Sequence, residues 1–494
     1  MTIDKHRAPL YEKLVGHAEQ SHVSLHVPGH KSGQGLDQAG RPYYESIMRL
    51  DLTEISGLDD LHHPEEAILE AQRLAADCFG AEESFFLVNG STVGNLAMIL
   101  SVCRRGDLLL IQRDAHKSVI HGLMLAGARA VFVSPEIDPV TGMTRGLRLE
   151  AIQEALEKYP EAKGLLVTRP SYYGMALPLQ PIAQLLHDHG RLLLVDEAHG
   201  AHFGLHPALP PSALACGADA VVQSTHKLLT AMTMGAMLHV QGELIDRHEL
   251  KRYLTMLQSS SPSYPLMASL DLSRRQMHTE GRALLDKALA VVGKFYKGLA
   301  LLSDFTLLEP ITDSEISCKD PFKVTIKDSN HELSGFDLKD KLETQGCFVE
   351  LADPQAVLLV FSLASTEQDV LKVLKALKAI SLANNEKIVG DNNIETLRSF
   401  SSTVMPGLSK PVSFDESNVR QKGTIQVALE DVEGMHSAEM VVPYPPGIPV
   451  LCPGELISAE VLRYLMQLVA MGARIHGLIE GEQPMLSVLS SVKS

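Results

Sequence analysis

The chain alternates short, almost continuously apolar runs with longer stretches of helical spacing, most clearly between residues 84 and 240. The runs are Ser84–Val88, Leu108–Gln112, Ala130–Val133, Gly164–Thr168, Leu192–Val195, Ala220–Ser224 and Ala236–Val240. Bounded by Gly, Asp, Asn or Pro and lacking polar alternation, each predicts a strand buried on both faces. Apolar spacing predicts a helix over Pro64–Phe79, with Pro64 in its first turn and Gly80 at its stop, and further helices over Arg148–Lys158 and Pro181–His189. Strand–helix alternation implies right-handed crossovers and a mostly parallel, doubly wound α/β sheet of seven strands. The last run follows its predecessor so closely that an antiparallel placement stays open.

The flanking segments divide the chain further. Residues 1–61, with LHVPGHKSGQGL, read as an extended N-terminal arm with loops; residues 62–300 form the large domain, ending in a long helical stretch, Leu266–Ser303. Residues 301–385 read as a small α+β domain with strands Lys323–Ile326, Cys347–Glu350 and Ala356–Ser362. Residues 386–494 form a last domain that opens on a polar linker, Asn384–Gly423, interrupted by Pro406 and Pro411, and holds a helix at Ser458–Met471.

Composition narrows the function classes. With 45% hydrophobic and 21% charged residues over 494 positions, the chain has ample core and more than one domain. A formal charge of −16 argues against nucleic acid and is compatible with a cationic substrate. Cys78, Cys103, Cys216, Cys318, Cys347 and Cys452 are scattered and form no CxxC pair, which predicts reduced thiols rather than a zinc site or a disulfide framework. The N-terminus lacks a signal-peptide core and no apolar run approaches the ~20 residues of a membrane span, so a cytoplasmic protein with no membrane partner is expected.

The polar residues are most informative where they follow the strands. Asn89-Gly90-Ser91-Thr92, Arg113-Asp114-Ala115-His116-Lys117, Pro170-Ser171-Tyr172-Tyr173-Gly174, Asp196-Glu197-Ala198-His199 and Ser224-Thr225-His226-Lys227 each end an apolar run. In a parallel sheet these ends share one edge, where ligands bind. Gly90, Ser91 and Thr92 at a helix start suit a phosphate dianion, although an ordinary Ser/Thr N-cap accounts for them equally when taken alone. Lys227 is either a solvated strand end or a Schiff-base nucleophile with no acidic neighbour in sequence. Asp196 is either a cap or salt-bridge partner, or the carboxylate that keeps a pyridine nitrogen protonated. His116 is either a core histidine or a flat ring stacked on a cofactor. His199 and His202, or His62 and His63, match no strong metal spacing, so no metal is expected.

The strings HVPGHKSG, TEISGLDDLHHP, FFLVNGSTVGN, RDAHKS, VDEAHGAHF, QSTHKLL, SSSPSYPLMASLD and VVPYPPGIPVLCPGE span nearly the whole chain. In these the sequence resembles the Orn/Lys/Arg decarboxylases of the fold-type-I, aspartate-aminotransferase-like superfamily that uses pyridoxal 5'-phosphate (PLP). Among them it is similar to the short Gram-positive-type arginine or lysine enzymes. The resemblance implies a Schiff base on Lys227, Asp196 at the pyridine nitrogen, and a phosphate cradle of Gly90, Ser91, Thr92, Ser224 and His226. It also implies His116 stacked on one ring face, Ala198 against the other, and His199 near the reacting centre.

It implies an active site shared across a homodimer or tetramer, with Ser261-Pro262-Ser263-Tyr264 reaching the neighbour's phosphate. The long receiver-like wing domain of the larger decameric members has no counterpart here. The implied reaction is decarboxylation of a small cationic amino acid, arginine first, as part of polyamine biosynthesis, with Lys227 or His226 as the proton donor. Glu455 and Asp353 are candidates by type and position for the substrate's cation, with other acids equally open. A lysine or ornithine decarboxylase, an aminotransferase or lyase on the same fold, and a non-catalytic regulator remain alternatives.

Overall fold

The computed structural model describes residues 4–309, 318–385, 407–415, 423–443, 447–479, 481 and 483–490. All seven expected strands form: β1 Glu83–Leu87, β2 Leu108–Gln112, β3 Arg129–Val133, β4 Gly164–Thr168, β5 Leu192–Asp196, β6 Ala220–Gln223 and β7 Ala236–Val240. The chain divides into two compact units, one of residues 1–102 and 183–285, the other of 103–182 and 286–494.

In the first unit β5 and β6 run parallel, and β7 lies antiparallel between β6 and β1. The open orientation of the last run is thereby resolved. Every residue of β5, β6 and β7 is buried, which is why these runs show no polar alternation. The helix Gly90–Val102 packs on this sheet. It comes unusually close: a Cβ at Gly94 would sit 2.4 Å from Val222 Cγ2 and 3.0 Å from Leu87 Cδ1, so only glycine admits this approach.

Two expectations for this unit are corrected. The helix expected from Pro64 starts at Ala67 and stops at Phe79. The Asp59 carboxylate accepts from the backbone N–H of Glu65, Glu66 and Ile68, all at 2.9 Å, and so holds residues 65 and 66 in a capping turn outside the helix. The stop is as expected, with Gly80 left-handed at φ 76°. The N-terminal arm is not simply extended, because Pro9–Ala18 and Arg41–Met48 are helical. Pro9 suits a first turn, Leu10 and Leu14 are buried, and the first of these helices lies against Ala67–Phe79. It is tied down from the long helix Tyr264–Leu299: Asp271 accepts from Leu10 N–H at 3.0 Å, and Arg274 donates to the Arg7 carbonyl at 2.7 Å.

In the second unit β2 lies between β3 and β4, parallel to both. The segment expected to be a linker supplies a short strand, Val412–Ser413, antiparallel to β3. Burial of Phe414, whose ring meets Phe132 edge-on at 6.3 Å, holds it there. The rest of that linker lies mostly outside the described residues. An antiparallel sheet joins Phe305–Leu307, Lys323–Asp328, Val357–Val360 and Leu351–Ala352.

The strand expected at Cys347–Glu350 is therefore displaced to Leu351–Ala352. Gly346 turns the chain off the preceding helix at φ 70°, Cys347 N–H returns to the Leu342 carbonyl, and Phe348 is left 82% exposed. Near the end of the chain Thr424–Ala428 pairs with Met485–Leu489, and the helix Ala459–Ala470, capped by Ser458, closes a core of Val441, Leu451, Leu465 and Val488. No helix among the described residues is long and apolar enough to cross a membrane.

Candidate active site

Three strand ends of the first unit carry its polar groups. After β1 the chain turns at Gly90, whose φ of 72° suits glycine and whose Cβ position opens on empty space. Its N–H is held by the Met234 carbonyl at 3.0 Å. A helix start of this kind offers first-turn N–H groups that suit an anion. Ser91 is buried and its Oγ lies 2.7 Å from Ser224 Oγ, which joins the turn after β1 to the end of β6; Thr92 is exposed.

Asp196 ends β5 and is 3% exposed. Its Oδ2 accepts from Asn95 Nδ2 at 2.8 Å and its Oδ1 from Ala198 N–H at 3.1 Å. The Ala198 carbonyl in turn accepts from Ser224 N–H. Glu197, the next residue along the strand direction, is turned elsewhere: its carboxylate accepts from Ala213 N–H at 3.0 Å and from Gln223 Nε2 at 2.8 Å. Adjacent acids thus have separate partners, as strand alternation requires.

Lys227 lies in a single helical turn, Thr225–Leu228, directly after β6. Its Nζ is 2.9 Å from Nε2 of the buried His199. His226 faces the Gly235 carbonyl through Nδ1 at 3.0 Å. A ring nitrogen facing a carbonyl carries the proton, so Nδ1 is the protonated nitrogen of the neutral ring. Burial lowers the His226 pKa from its ordinary value, against the Gly235 carbonyl, which raises it; Lys227 adds to the lowering. The Met232–Gly235 loop that positions both Gly90 and His226 has Met234 left-handed at φ 73°, an uncommon conformation for a side-chain-bearing residue.

In the second unit His116 caps the helix Lys117–Ala126, its Nδ1 accepting from Ser118 N–H. Glu455 pairs with buried Arg113 at 3.0 Å and accepts from Cys452 N–H at 2.6 Å. Asp353 accepts from the Tyr173 hydroxyl and from the N–H groups of Gln355 and Ala356. Burial and then the Asp353 charge raise the Tyr173 phenol well above its ordinary value. Back in the first unit, Ser261 and Ser263 are exposed, while Tyr264 is buried and donates to the Asp59 carbonyl. Among the described residues no cluster of three or more His, Cys, Asp or Glu is arranged to hold a metal ion.

The first unit therefore brings together Ser91 with Ser224, Asp196 with Ala198, and Lys227 with His199. His116 is described within the second unit only. Asn95 and Gln223 were not singled out from the sequence, and Glu197 was named only as part of the polar string Asp196–His199, with no role given to it. Asn95 had a signal: it is a polar residue set among the apolar Val93, Ala97, Met98 and Ile99 on the buried side of its helix. The donor set fits a phosphorylated pyridine aldehyde: an open left-handed glycine and two serines at a helix start, a buried carboxylate, and a lysine amine.

Fold and site define a fold-type-I PLP-type α/β protein. A Francisella novicida lysine decarboxylase, LdcF, is similar in fold with a TM-score of 0.84 at 22% identity, over 98% of this chain and 81% of that one. The chain belongs to the Orn/Lys/Arg decarboxylase family: the family's major domain matches residues 8–340 and its C-terminal domain residues 397–482. It is an amino-acid decarboxylase, and the family implies PLP as its cofactor. An uncharacterised Bacillus subtilis protein, YaaO, is 40% identical over 97% of this chain and 98% of its own. A B. subtilis arginine decarboxylase is 34% identical over the whole of both chains, whereas a Pseudomonas aeruginosa lysine decarboxylase, LdcA, is 26% identical over 92% of this chain and 75% of its own.

Proposed function

We propose that the protein releases CO2 from arginine and yields agmatine, with PLP held on Lys227. The observation that carries this reading is the 2.9 Å approach of the Lys227 amine to His199, three residues beyond the buried Asp196. It pairs an amine nucleophile with a proton-transfer partner on the segment that follows the carboxylate suited to a pyridinium. Arginine is favoured because full-length relatives named for it are more similar than those named for lysine.

When bound, PLP supplies the electron sink for the bonding pair left by departing CO2. Asp196 would accept from the pyridine nitrogen with the lone pairs that Asn95 and Ala198 leave open. The first turn of the Gly90 helix, with Ser91, Thr92, Ser224 and His226, would hold the phosphate, and the family resemblance gives His116 and Ala198 roles at the ring faces. Lys227, or His226 beside it, returns a proton to the carbon that loses CO2, and His199 hands protons to and from the Lys227 nitrogen. Of the acids singled out for the guanidinium, Glu455 is already paired with Arg113 and Asp353 already accepts three donors. Either would share its carboxylate between these partners and a substrate cation.

The wider reading is a cytoplasmic homodimer or tetramer in polyamine biosynthesis, with Ser261–Tyr264 reaching the neighbouring subunit and the domains divided at residues 61, 300 and 385. Purified protein loaded with PLP and given arginine, lysine or ornithine tests the reaction. Agmatine and CO2 from arginine, identified by mass spectrometry, is the expected result. Keto-acid products would replace this reading by an aminotransferase, and cadaverine or putrescine as the main product would reassign the substrate.

A further inference from the structure

We propose that Asn95 is a positioning residue for Asp196: its side-chain amide fixes the carboxylate that meets the cofactor's ring nitrogen. This rests on the PLP reading above. The amide Nδ2 lies 2.8 Å from Asp196 Oδ2, and the Ala198 N–H takes the other oxygen at 3.1 Å. The two donors approach different oxygens, so the carboxylate plane is defined while each oxygen keeps a lone pair for another donor.

Nothing local recommends asparagine at this position. In a helix interior it is among the poorer formers, and at 1% exposure an unpartnered amide is costly. Leucine would match its buried neighbours Val93, Ala97 and Met98. The approach of the helix to the sheet is also specialised, since Gly94 allows a separation from Val222 that no other residue permits. The adjacent residue is thereby brought within hydrogen-bond range of the end of β5. Asn95 also belongs to the helix whose start carries Gly90, Ser91 and Thr92. One rigid element therefore carries both the phosphate turn and the group that orients the ring-nitrogen partner, which couples the two ends of the cofactor.

The test compares wild type, Asn95→Leu and the near-isosteric Asn95→Asp, each alone and combined with Asp196→Asn. Ser101→Ala on the same helix is the control. PLP affinity and the pH dependence of the visible absorbance of bound PLP are measured, and unfolding of the cofactor-free proteins reports stability. Asn95→Leu should weaken PLP about ten- to hundred-fold, the loss of one hydrogen bond to a charged group, and displace the pH transition. In the Asp196→Asn background the same change should fall below about threefold, because its effect acts through Asp196.

Equal losses in both backgrounds would show packing alone and overturn the proposal. So would Asn95→Leu, or Asn95→Asp should the leucine variant not fold, with wild-type affinity and pH transition. A wild-type protein that takes up no PLP removes the underlying reading and this inference together; normal uptake with unaffected Asn95 variants removes this inference alone.

Discussion

The Lys227 ε-amine and the His199 Nε2 lie 2.9 Å apart, inside one unit and 28 positions apart in sequence. At that distance one nitrogen donates and the other must offer a lone pair, so the two share a proton rather than each carrying one. Lys227→Ala should abolish the visible absorbance of lysine-linked PLP. His199→Leu should retain that absorbance and lower kcat about 10²–10⁴-fold, the range of a lost general acid–base partner. His199→Gln, which keeps hydrogen-bonding capacity but does not titrate, should flatten one limb of the kcat–pH profile. Visible spectra of the PLP-loaded proteins together with CO2 release against pH check all three.

Gly94 sets how near the Gly90 helix comes to its sheet. A Cβ added there would meet Val222 Cγ2 at 2.4 Å and Leu87 Cδ1 at 3.0 Å, so Gly94→Ala should cost about 1–3 kcal/mol through forced separation. PLP affinity should fall with it, since Asn95 moves with the helix. Val222→Ala creates room, so the Gly94→Ala penalty should shrink in that background. Denaturant unfolding and PLP titration of the four proteins give both quantities.

The Arg113–Glu455 pair is nearly excluded from solvent, with side-chain exposures of 9% and 14%. Glu455→Gln leaves a buried guanidinium without its counter-charge and should cost about 3–5 kcal/mol. Adding Arg113→Met should recover at least half of that loss, because the stranded charge is gone. A double variant as unstable as Glu455→Gln would show that the pair contributes little beyond shape. Urea unfolding midpoints decide this.

His239 faces Ser84 across β1 and β7, its Nδ1 2.7 Å from the Ser84 hydroxyl, and is fully buried. Burial lowers its pKa from 6.5 to about 3. The folded protein therefore holds it neutral while the unfolded chain protonates it below 6.5, so stability is full above that value and falls as the pH drops toward 3. At about pH 5 the loss should be on the order of 2 kcal/mol. The difference in unfolding free energy between about pH 7 and pH 5 should be smaller by that amount in His239→Gln, whatever the variant costs at neutral pH.

Much of this was readable from the chain alone. Runs such as LLLV at Leu192–Val195 and AVV at Ala220–Val222 declare burial on both faces because they show no polar alternation. The polar groups that follow those runs mark the ligand edge for the same reason: a strand end is where a fully apolar segment can first expose a side chain. Boundaries were less secure where a capping group lies outside the helix. Asp59 begins the Ala67 helix from eight residues upstream, which a rule centred on Pro64 does not see. At Cys347–Glu350 the apolar letters looked like a strand, but Gly346 uses them to leave a helix.

The sequence by itself determined the strands and their burial, and put Lys227 and Asp196 at strand ends, because those properties follow from local pattern; the roles proposed for the two residues rest on the family resemblance. Tertiary structure decided which groups meet. Asn95 and Asp196 are separated by 101 positions, Ser91 and Ser224 by 133, and each pair meets only because the Gly90 helix lies against β5 and β6 at the separation Gly94 allows. A hydrogen bond needs its partners within about 3 Å, and pattern along a chain carries no such distance until register and packing have set it.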